Sequence, residues 1–176
     1  MIAANKCDVS TSEENYKKLK ERFPNIIIIP TSAEAEITLK EAGKKKLIDY
    51  IPGDKSFKEK EGLNEQQKKA LEIIRRIMDK WGGNGVQECL NRTVFDVLKY
   101  IAVFPAGVNK LSDKDGNILP DVFLMKPGST ALDFAATIHS TMAEKFIKAI
   151  DVRTRKALGG DHLLKNRDCI EIFFKH

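Results

Sequence analysis

The stretch that decides the fold is Ile2-Ala3-Ala4-Asn5-Lys6-Cys7-Asp8, a short apolar run that leads into a polar motif. The apolar part predicts a buried strand that ends at Ala4, so the motif lies at the carboxyl end of that strand. A second run, Ile26 to Ile29, is β-branched throughout and predicts another strand, buried on both faces as in a parallel sheet. It leads into Pro30-Thr31-Ser32-Ala33. Ligands of open α/β sheets bind beyond the carboxyl ends of strands, which is where both motifs stand.

Two helices are predicted around these strands. The first runs from about Ser12 to Arg22; Thr11 and Glu14 form a capping-box signature at its start, and its apolar stripe consists of Tyr16, Leu19 and Phe23. The second runs from about Glu36 to Tyr50 and ends before Pro52-Gly53. The order strand, helix, strand, helix predicts right-handed βαβ winding over residues 1–52.

The residue types of the first motif suit the edge of a guanine base. A carboxylate such as Asp8 accepts two hydrogen bonds, from the ring N–H and from the exocyclic amine, and adenine offers no such pair of donors. The wrong base would leave the carboxylate desolvated and unpaired, at about 1–3 kcal/mol or more. Asn5 would tie the loop to its neighbours and reach the base edge, and the aliphatic stem of Lys6 would cover the ring face.

The second motif strengthens this interpretation. Thr31-Ser32-Ala33 follows the second strand, where a guanine-binding fold places a loop whose backbone N–H, here that of Ala33, meets the base oxygen. The alternative is that Thr31 or Ser32 only caps the next helix.

The middle segment, residues 53–104, is predicted to be helical after a charged, exposed linker from Asp54 to Glu61. Asn64 caps a helix whose inward residues are Leu71, Ile74, Ile77, Met78 and Trp81. Gly82-Gly83-Asn84-Gly85 then breaks the helix. A further helix follows, with its inward positions at Leu90, Val94, Val97, Leu98 and Ile101.

The last segment, residues 105–176, has strand and hairpin character. Runs from Ala106 to Leu111 and from Ile118 to Met125 flank the turn-rich loop Asp113-Lys114-Asp115-Gly116-Asn117. Thr130 and Asp133 form a capping box before a helix that carries Leu132, Ala135, Ala136 and Ile138. Strands at 146–153 and 169–174 complete a predicted small β-grasp domain.

At this point a family resemblance is plain. The pair Asn5-Lys6-Cys7-Asp8 and Thr31-Ser32-Ala33 resembles the fourth and fifth motifs of a translation-factor-class GTPase. The last segment resembles a TGS domain, a ubiquitin-like β-grasp module. The residues that carry this likeness are Leu124 to Thr130, Asp133-Phe134-Ala135, Ile138-His139-Ser140 and Leu164 to Asp168. A base-reading part of a G domain, a helical connector and a TGS domain together are similar to the C-terminal portion of an Obg-family protein, nearest its YchF-like, archaeal-type branch. Gly85 to Glu88 and Leu119 to Phe123 favour that placement.

The resemblance implies GTP or GDP as ligand, since YchF-like proteins that prefer ATP depart from the guanine pattern and this chain keeps Asp8. The 176 residues contain no GxxxxGK[S/T] phosphate loop. Asp113-Lys114-Asp115-Gly116 matches DxxG by letters only, because it lies in a predicted hairpin turn. We therefore expect a truncated protein, whose Mg²⁺ and phosphate loops would lie upstream in an intact parent. Phosphoryl transfer depends on those parts, so we expect weak or absent nucleotide binding, no catalytic residue and no GTPase activity in this chain alone.

A second function is compatible with the charge. The formal net charge is +5, which favours nucleic acid mildly, although a solvated lysine-rich surface is the commoner reason. Five basic residues of the last segment are candidates for RNA contacts, namely Arg153, Arg155, Lys156, Lys165 and Arg167. The TGS resemblance implies RNA or a regulatory ligand, and the parent family implies a link to RNA or the ribosome. Interleaved Asp151, Asp161 and Asp168 leave ordinary surface ion pairs, or a purely structural or protein-docking role, as alternatives.

The remaining polar residues receive structural interpretations. The three cysteines are few and widely spaced, which favours reduced thiols over disulfides or a zinc site, and Cys7 is a spacer in its motif. His139 is predicted to be a packed or hydrogen-bonded structural residue, and no metal site is predicted. No apolar run approaches the roughly 20 residues of a membrane helix, and no signal peptide is visible. A cytoplasmic location is expected.

Overall fold

The computed structural model describes residues 1–112, 115–119 and 121–175. By its internal contacts the chain forms two compact units, Met1–Thr93 and Val94–His176, and each is described by itself. Asp113 and Lys114 of the predicted hairpin loop, Pro120 and the terminal His176 lie outside the described residues.

The first unit begins with the predicted strand, helix and strand. Strands β1 (Ile2–Ala4) and β2 (Ile28–Pro30) are parallel neighbours, with Ile2 beside Ile28 and Ala4 beside Pro30. Helix α1 (Ser12–Arg22) connects them. The strand after α1 starts later than predicted: Ile26 and Ile27 precede it and are 40% and 37% exposed. The expected burial holds for Ile28 and Ile29 only.

The start of α1 differs from the predicted capping box. Thr11 already has helical backbone angles, φ −84° and ψ −2°, and its side chain caps no amide within the described residues. A capping residue needs an extended backbone to aim its side-chain oxygen at the first free N–H groups. The signature Thr11–Glu14 was therefore wrong, although the bounds of the helix were right.

The next helix, α2, spans Ala33–Lys44 and does not continue to Tyr50. The chain turns at Lys46, whose φ is +58°, and Ile48 then enters the core in the short strand β3 (Ile48–Asp49). Strand β4 (Lys58–Glu59) pairs with β3 antiparallel. Seven of the eight residues of 54–61 are exposed, as the charge of the segment predicted. The exception is Phe57, which is only 5% exposed, so the segment is anchored in the core and is not a free linker.

Helix α3 (Glu65–Trp81) completes the first core. Asn64 caps it in a full capping box with Gln67, which confirms the predicted start. The buried face of α3 packs with residues of α2 and β3 in one cluster that comprises Ala35, Leu39, Ile48, Phe57, Leu71, Ile74 and Met78. Ile77 and Trp81 are only half-buried. Residues 53–93, predicted as most of a separate helical segment, thus pack in the same unit as residues 1–52.

The predicted helix after the glycine turn is short. Helix α4 covers Val86–Asn91, and a π-helical turn, Arg92–Val97, follows it. Wider winding shifts the face of the helix, so the 3.6-residue periodicity behind the predicted inward positions does not continue. Leu90, Val97 and Leu98 are about half-exposed, at 56%, 50% and 49%, and Ile101 belongs to a strand.

The second unit is a five-stranded mixed sheet with one packed helix. Its strands are β5 (Ile101–Pro105), β6 (Phe123–Met125), β7 (Phe146–Asp151), β8 (Ala157–Leu158) and β9 (Asp168–Phe174). The order across the sheet is β6-β5-β9-β7-β8; β5 and β9 are parallel and the other pairs antiparallel. This topology confirms the predicted β-grasp fold.

Helix α5 (Ala131–Ile138) supplies the core of this sheet, and the short α6 (Ser140–Glu144) follows it. Phe134 is fully buried and meets Phe123 edge to face at 5.7 Å between ring centres. The capping box of Thr130 and Asp133 is confirmed. The first strand was predicted at 106–111 but lies at 101–105, because Val103 packs in the core and the strand is paired on both sides. Beyond it, single bridges join Gly107 to Lys110 and Ser112 to Ile118.

Candidate functional site

Two loops meet at the carboxyl ends of β1 and β2. Residues 5–8 follow β1 and residues 31–33 follow β2, and the parallel pairing of the two strands brings both loops to one edge. Backbone hydrogen bonds join them: Thr31 N–H donates to Ala4 O at 2.9 Å, and Cys7 N–H donates to Thr31 O at 3.0 Å. The predicted meeting of the two motifs is thereby seen in the structure.

Side chains complete the junction. Ser32 Oγ donates to Asp8 Oδ1 at 2.9 Å, and Ala33 N–H donates to Asn5 Oδ1 at 3.1 Å. Ser32 is fully buried, whereas Asp8 and Asn5 are exposed. The hydrogen bond from the buried Ser32 thus holds one carboxylate oxygen of Asp8, while Asp8 itself is exposed to solvent. The Ala33 N–H already has an acceptor, so an incoming oxygen would share that N–H or replace Asn5.

Ser32 also caps a helix, which is the alternative role that the sequence allows for it. It is the N-cap of α2, and its Oγ accepts from Ala35 N at 3.2 Å. A hydroxyl can donate one hydrogen bond and accept others at once, so capping the helix and holding Asp8 are compatible. Thr31 does not share this role, because its hydroxyl donates to Ile29 O.

Lys6 and Cys7 lie between Asn5 and Asp8 in the first loop. Lys6 is exposed and has φ +69°, a left-handed conformation that lets the chain turn sharply from the strand. Cys7 is buried. Burial, followed by repulsion from Asp8, raises the pKa of its thiol to about 11. The thiol is therefore neutral near pH 7, which agrees with a spacer and not with a nucleophile.

The first loop is held from outside by two helices. Ser12 Oγ at the start of α1 donates to Cys7 O at 2.9 Å, and Trp81 Nε1 at the end of α3 donates to the same carbonyl at 3.1 Å. The rings of Trp81 and Tyr16 meet edge to face at 5.2 Å. Trp81, predicted as a core residue of the helical segment, thus also anchors the first loop.

The second loop is held by the turn between α3 and α4, which sequence reasoning identified only as a helix break. Ser32 N–H donates to Asn84 O at 2.9 Å. The side chain of Asn84 donates to Glu36 Oε2 at 2.8 Å and to the Tyr50 hydroxyl at 2.9 Å. Asn84 is 3% exposed. An asparagine among glycines signals a turn in sequence, and nothing local to it shows which distant partners its amide meets.

The surface that these loops present is open. A cavity of about 410 Å³ borders the first loop and is lined by Asn5, Lys6 and Cys7 together with residues of β1 and α1. Asp8 and the residues of the second loop do not line it. A flat ligand at Asp8 would therefore lie on an exposed surface and not in a cavity. Little of its surface would be buried, which by itself favours weak binding.

Other predicted chemistry is placed as follows. The cysteines are free and buried. His139 is exposed and its Nδ1 accepts from Thr141 N at 3.2 Å, which confirms a hydrogen-bonded structural role. The described residues contain no group of three or more His, Cys, Asp or Glu side chains that could hold a metal ion. Within the same described part of the chain, no helix is long and apolar enough to cross a membrane.

The five basic candidates of the second unit lie on two turns. Arg153, Arg155 and Lys156 occupy the β7–β8 turn, and Lys165 and Arg167 precede β9. All five are exposed. Arg153 Nη2 donates to Arg167 O at 3.0 Å, which joins the two turns.

Two of the neighbouring acids have structural duties. Asp151 Oδ1 accepts from Arg153 N at 2.8 Å and from Thr154 N at 2.9 Å. Asp168 Oδ2 accepts from Lys165 N at 2.8 Å. These bonds order the two turns. Backbone hydrogen bonds, that from Thr154 first, lower the pKa of Asp151.

Comparison with known proteins gives a family. A model described as "Obg-like GTPase YGR210-like, G4 motif-containing domain" matches residues 3–107, and a TGS domain model matches residues 111–174. The chain is 46% identical over 173 residues to "Uncharacterized GTP-binding protein MJ1332" of Methanocaldococcus jannaschii, with 98% of this chain and 44% of the relative covered. The crystal structure of a GTP binding protein from Pyrococcus horikoshii OT3 is similar with a TM-score of 0.71 and 39% identity, covering 99% of this chain and 46% of that one. The chain thus spans less than half the length of either relative.

Because the first of these models matches more than half of the chain, and the second matches the β-grasp unit, the chain belongs to the YGR210-like family of Obg-like GTPases and carries a TGS domain.

Proposed function

We propose that the first unit reads the guanine base of GTP or GDP through Asn5, Lys6, Asp8, Ser32 and Ala33. The observation that carries this proposal is the hydrogen bond from Ser32 Oγ to Asp8 Oδ1, 2.9 Å long. It orients an exposed carboxylate at the ends of two adjacent parallel strands. Both named relatives are described as GTP-binding proteins, which supports the choice of ligand.

The chemistry follows from the acceptor capacity of the carboxylate. An ionised Asp has about four lone-pair positions, so the bond from Ser32 leaves room for the ring N–H and the exocyclic amine of guanine. The base oxygen would approach the Ala33 N–H, next to Asn5 Oδ1. The aliphatic stem of Lys6 would lie against the ring face. Each bond to the charged group is worth roughly 1.5–3 kcal/mol, which sets the preference for guanine over adenine.

We propose further that these residues alone bind nucleotide weakly and do not hydrolyse GTP. The sequence contains no GxxxxGK[S/T] motif, and such loops supply most of the affinity for phosphate and hold Mg²⁺. In a protein as long as the relatives, phosphate and Mg²⁺ contacts would come from outside these 176 residues. That parent would be a cytoplasmic, YchF-like, archaeal-type GTPase switch linked to the ribosome or RNA.

A titration with nucleoside monophosphates tests base reading directly. Amide chemical shifts of the ¹⁵N-labelled chain are followed as GMP, IMP and AMP are added to millimolar concentrations. We expect shifts at residues 5–8 and 31–33, and GMP to bind at least about tenfold more tightly than AMP. Equal affinities, or shifts confined to other residues, would refute the proposal.

Substitution of the reading carboxylate sharpens this test. Asp8→Asn places an NH₂ group against the donors of guanine, so the preference for GMP should disappear. XMP, whose base has a carbonyl in place of the amine, should gain affinity. Asp79→Asn removes the same charge from an exposed position on α3 and should leave the GMP preference intact. GTP turnover that copurifies with the chain and is lost in Asp8→Asn would contradict the predicted lack of hydrolysis.

RNA contact by the second unit is a second candidate, favoured by the bond between Arg153 and Arg167 O that joins the two basic turns. Asp151 and Asp168 are partly buried and accept hydrogen bonds from backbone N–H groups of the turns. The five basic side chains are exposed. Such an arrangement suits phosphate contacts.

Neutralising Arg153, Arg155 and Lys156 together tests this candidate. Binding to single-stranded RNA should weaken, and the slope of log K against log salt concentration should become shallower by about two, because three phosphate contacts are lost. Neutralising Lys126, Lys145 and Lys175, which are also exposed in the second unit, removes the same charge and should have a much smaller effect. Equal losses in the two triple variants would indicate net charge alone.

A further inference from the structure

We propose that Asn84 is a positioning residue for guanine recognition, which acts by holding Ser32 so that Ser32 aims Asp8 at the base. The inference rests on the proposed function and adds a determinant of specificity outside both base-reading motifs. Asn84 lies in the turn between α3 and α4, far from the motifs in sequence.

Two hydrogen bonds connect Asn84 to the reading carboxylate. Asn84 O accepts from Ser32 N at 2.9 Å, and Ser32 Oγ donates to Asp8 Oδ1 at 2.9 Å. Ser32 is fully buried, so water cannot readily replace its lost partner. A displacement of the Asn84 carbonyl would therefore move the Ser32 backbone and rotate its hydroxyl away from Asp8.

The Asn84 carbonyl is itself fixed by the side chain of the same residue. The amide nitrogen donates to Glu36 Oε2 at 2.8 Å and to the Tyr50 hydroxyl at 2.9 Å, and the amide oxygen accepts from Val86 N at 3.1 Å. The Tyr50 hydroxyl donates to Glu36 Oε2 at 2.6 Å. Asn84 and Glu36 are 3% and 5% exposed. A closed polar network of this kind holds one geometry, because each broken bond leaves a buried group unsatisfied.

The turn also packs directly against the second loop. Gly85, the residue after Asn84, has φ +76°, and a Cβ there would lie 2.0 Å from Pro30 O. Pro30 and Ser32 belong to one short segment, so the turn touches it at both ends. With no gap to absorb movement, a shift of the turn passes to the loop.

The ratio of GMP to IMP affinities isolates this effect from general destabilisation. The two bases differ only in the exocyclic amine, which is a group that Asp8 would accept from. Loss of folded protein lowers both apparent affinities equally and leaves their ratio unchanged. Displacement of the Asp8 carboxylate weakens its hydrogen bond to the exocyclic amine, which only GMP has, and so lowers the GMP/IMP affinity ratio.

The first variant is Asn84→Ala, studied by the same amide-shift titration on the full chain. We expect the GMP/IMP affinity ratio to fall by about three- to tenfold, the effect of one weakened hydrogen bond. Asn91→Ala is the matched control, since Asn91 is an exposed asparagine on α4 in the same unit, and its ratio should equal that of the wild type.

An exchange of partners provides a rescue that also serves if Asn84→Ala does not fold. Asn84→Asp places a second carboxylate against Glu36 and should lower the ratio. Adding Glu36→Gln restores a donor and an acceptor in reversed positions, and the Tyr50 hydroxyl can reverse its own bond. We expect the double variant to recover most of the wild-type ratio.

The outcomes separate the two proposals. A wild-type chain that does not prefer GMP to IMP would overturn base reading, and the role of Asn84 with it. A GMP/IMP affinity ratio that stays at the wild-type value in Asn84→Ala would overturn only the role of Asn84. The same holds if the ratio is unchanged in Asn84→Asp and does not change when Glu36→Gln is added.

Discussion

The packing of Gly85 against the backbone of Pro30 gives a prediction with a control variant in the same turn. Gly85→Ala would introduce a Cβ 2.0 Å from Pro30 O, 3.0 Å from the Pro30 carbonyl carbon and 3.2 Å from Thr31 Cα. All three are backbone atoms, so no side-chain rotation relieves the contact. The turn or the loop must move by about 1.5–2 Å to bring the Cβ to ordinary van der Waals separation from Pro30 O.

The magnitude has two parts. An alanine at φ +76° costs about 1–2 kcal/mol because its Cβ crowds the following carbonyl in the left-handed region. Forcing an added methyl group into packed surroundings costs about 1–3 kcal/mol more. We expect Gly85→Ala to lower the free energy of unfolding of the first unit by about 2–5 kcal/mol.

Gly82→Ala separates these two parts. Gly82 ends α3 with φ +77°, and among the described residues a Cβ there would meet no heavy atom within 4 Å. It therefore carries the backbone strain without the clash, and we expect a loss of about 1–2 kcal/mol. The difference between the two variants is the cost of displacing the Pro30 loop.

Urea unfolding followed by tryptophan fluorescence measures this difference. Trp81 is the one tryptophan of the sequence and lies in the first unit, so its signal reports that unit without the second. Equal free energies of unfolding for Gly85→Ala and Gly82→Ala would refute the tight contact between the turn and the loop. Such a result would also remove one of the supports for the role of Asn84.

Three further predictions concern single groups. Thr130→Ala removes the cap that accepts from Asp133 N at 3.2 Å and should destabilise the second unit by about 1 kcal/mol in chemical denaturation; Thr130→Ser should not. Burial, and then Asp8, raises the pKa of the Cys7 thiol to about 11. The thiol should therefore react with a disulfide reagent at pH 8 roughly a hundredfold more slowly than an ordinary thiol. Rapid modification of the Cys7 peptide, seen by mass spectrometry, would contradict this. Burial, and then the bond to Glu36, raises the pKa of Tyr50 to about 12, above the unfolded value of about 10. The contribution of Tyr50 to stability is therefore complete below pH 10 and is lost as the pH rises through 12. The tyrosinate absorbance of Tyr50, identified as the part that Tyr50→Phe removes, should appear near pH 12 and not near pH 10.

The meeting of the loops at residues 5–8 and 31–33 could be predicted from sequence because the signals that define it are local. An apolar run, a polar motif directly after it and a second, β-branched run with its own motif define two parallel strands with loops at one edge. The structure joins the loops through Ser32 and Asp8 as that logic requires. The capping boxes at Asn64 and Thr130 were readable for the same reason, since donor and acceptor stand three residues apart.

The supports of the loops could not be predicted because they depend on tertiary contacts. Asn84 and Glu36 are 48 positions apart, and no periodicity links them. Ile48 was assigned to a helix by its apolar neighbours, but it is 2% exposed in a strand. Helical periodicity failed after α4 for a different reason: the winding widens to a π-turn, which the hydrophobic pattern does not reveal.

These contacts indicate that the two loops, residues 5–8 and 31–33, need residues beyond 52 to hold their geometry. A two-stranded sheet has little stability by itself, and β1 and β2 are such a sheet. Trp81 donates to Cys7 O and Asn84 O accepts from Ser32 N. Helix α3 provides three of the seven buried residues of the core that includes α2. The matched G4 motif-containing domain model likewise extends to residue 107. We therefore expect a peptide of residues 1–52 to give the narrow amide shifts of an unfolded chain, whereas residues 1–93 should give dispersed shifts with a slowly exchanging Ser32 amide. A folded 1–52 peptide with a protected Ser32 amide would show that the two loops keep their geometry without α3 and the turn that follows it.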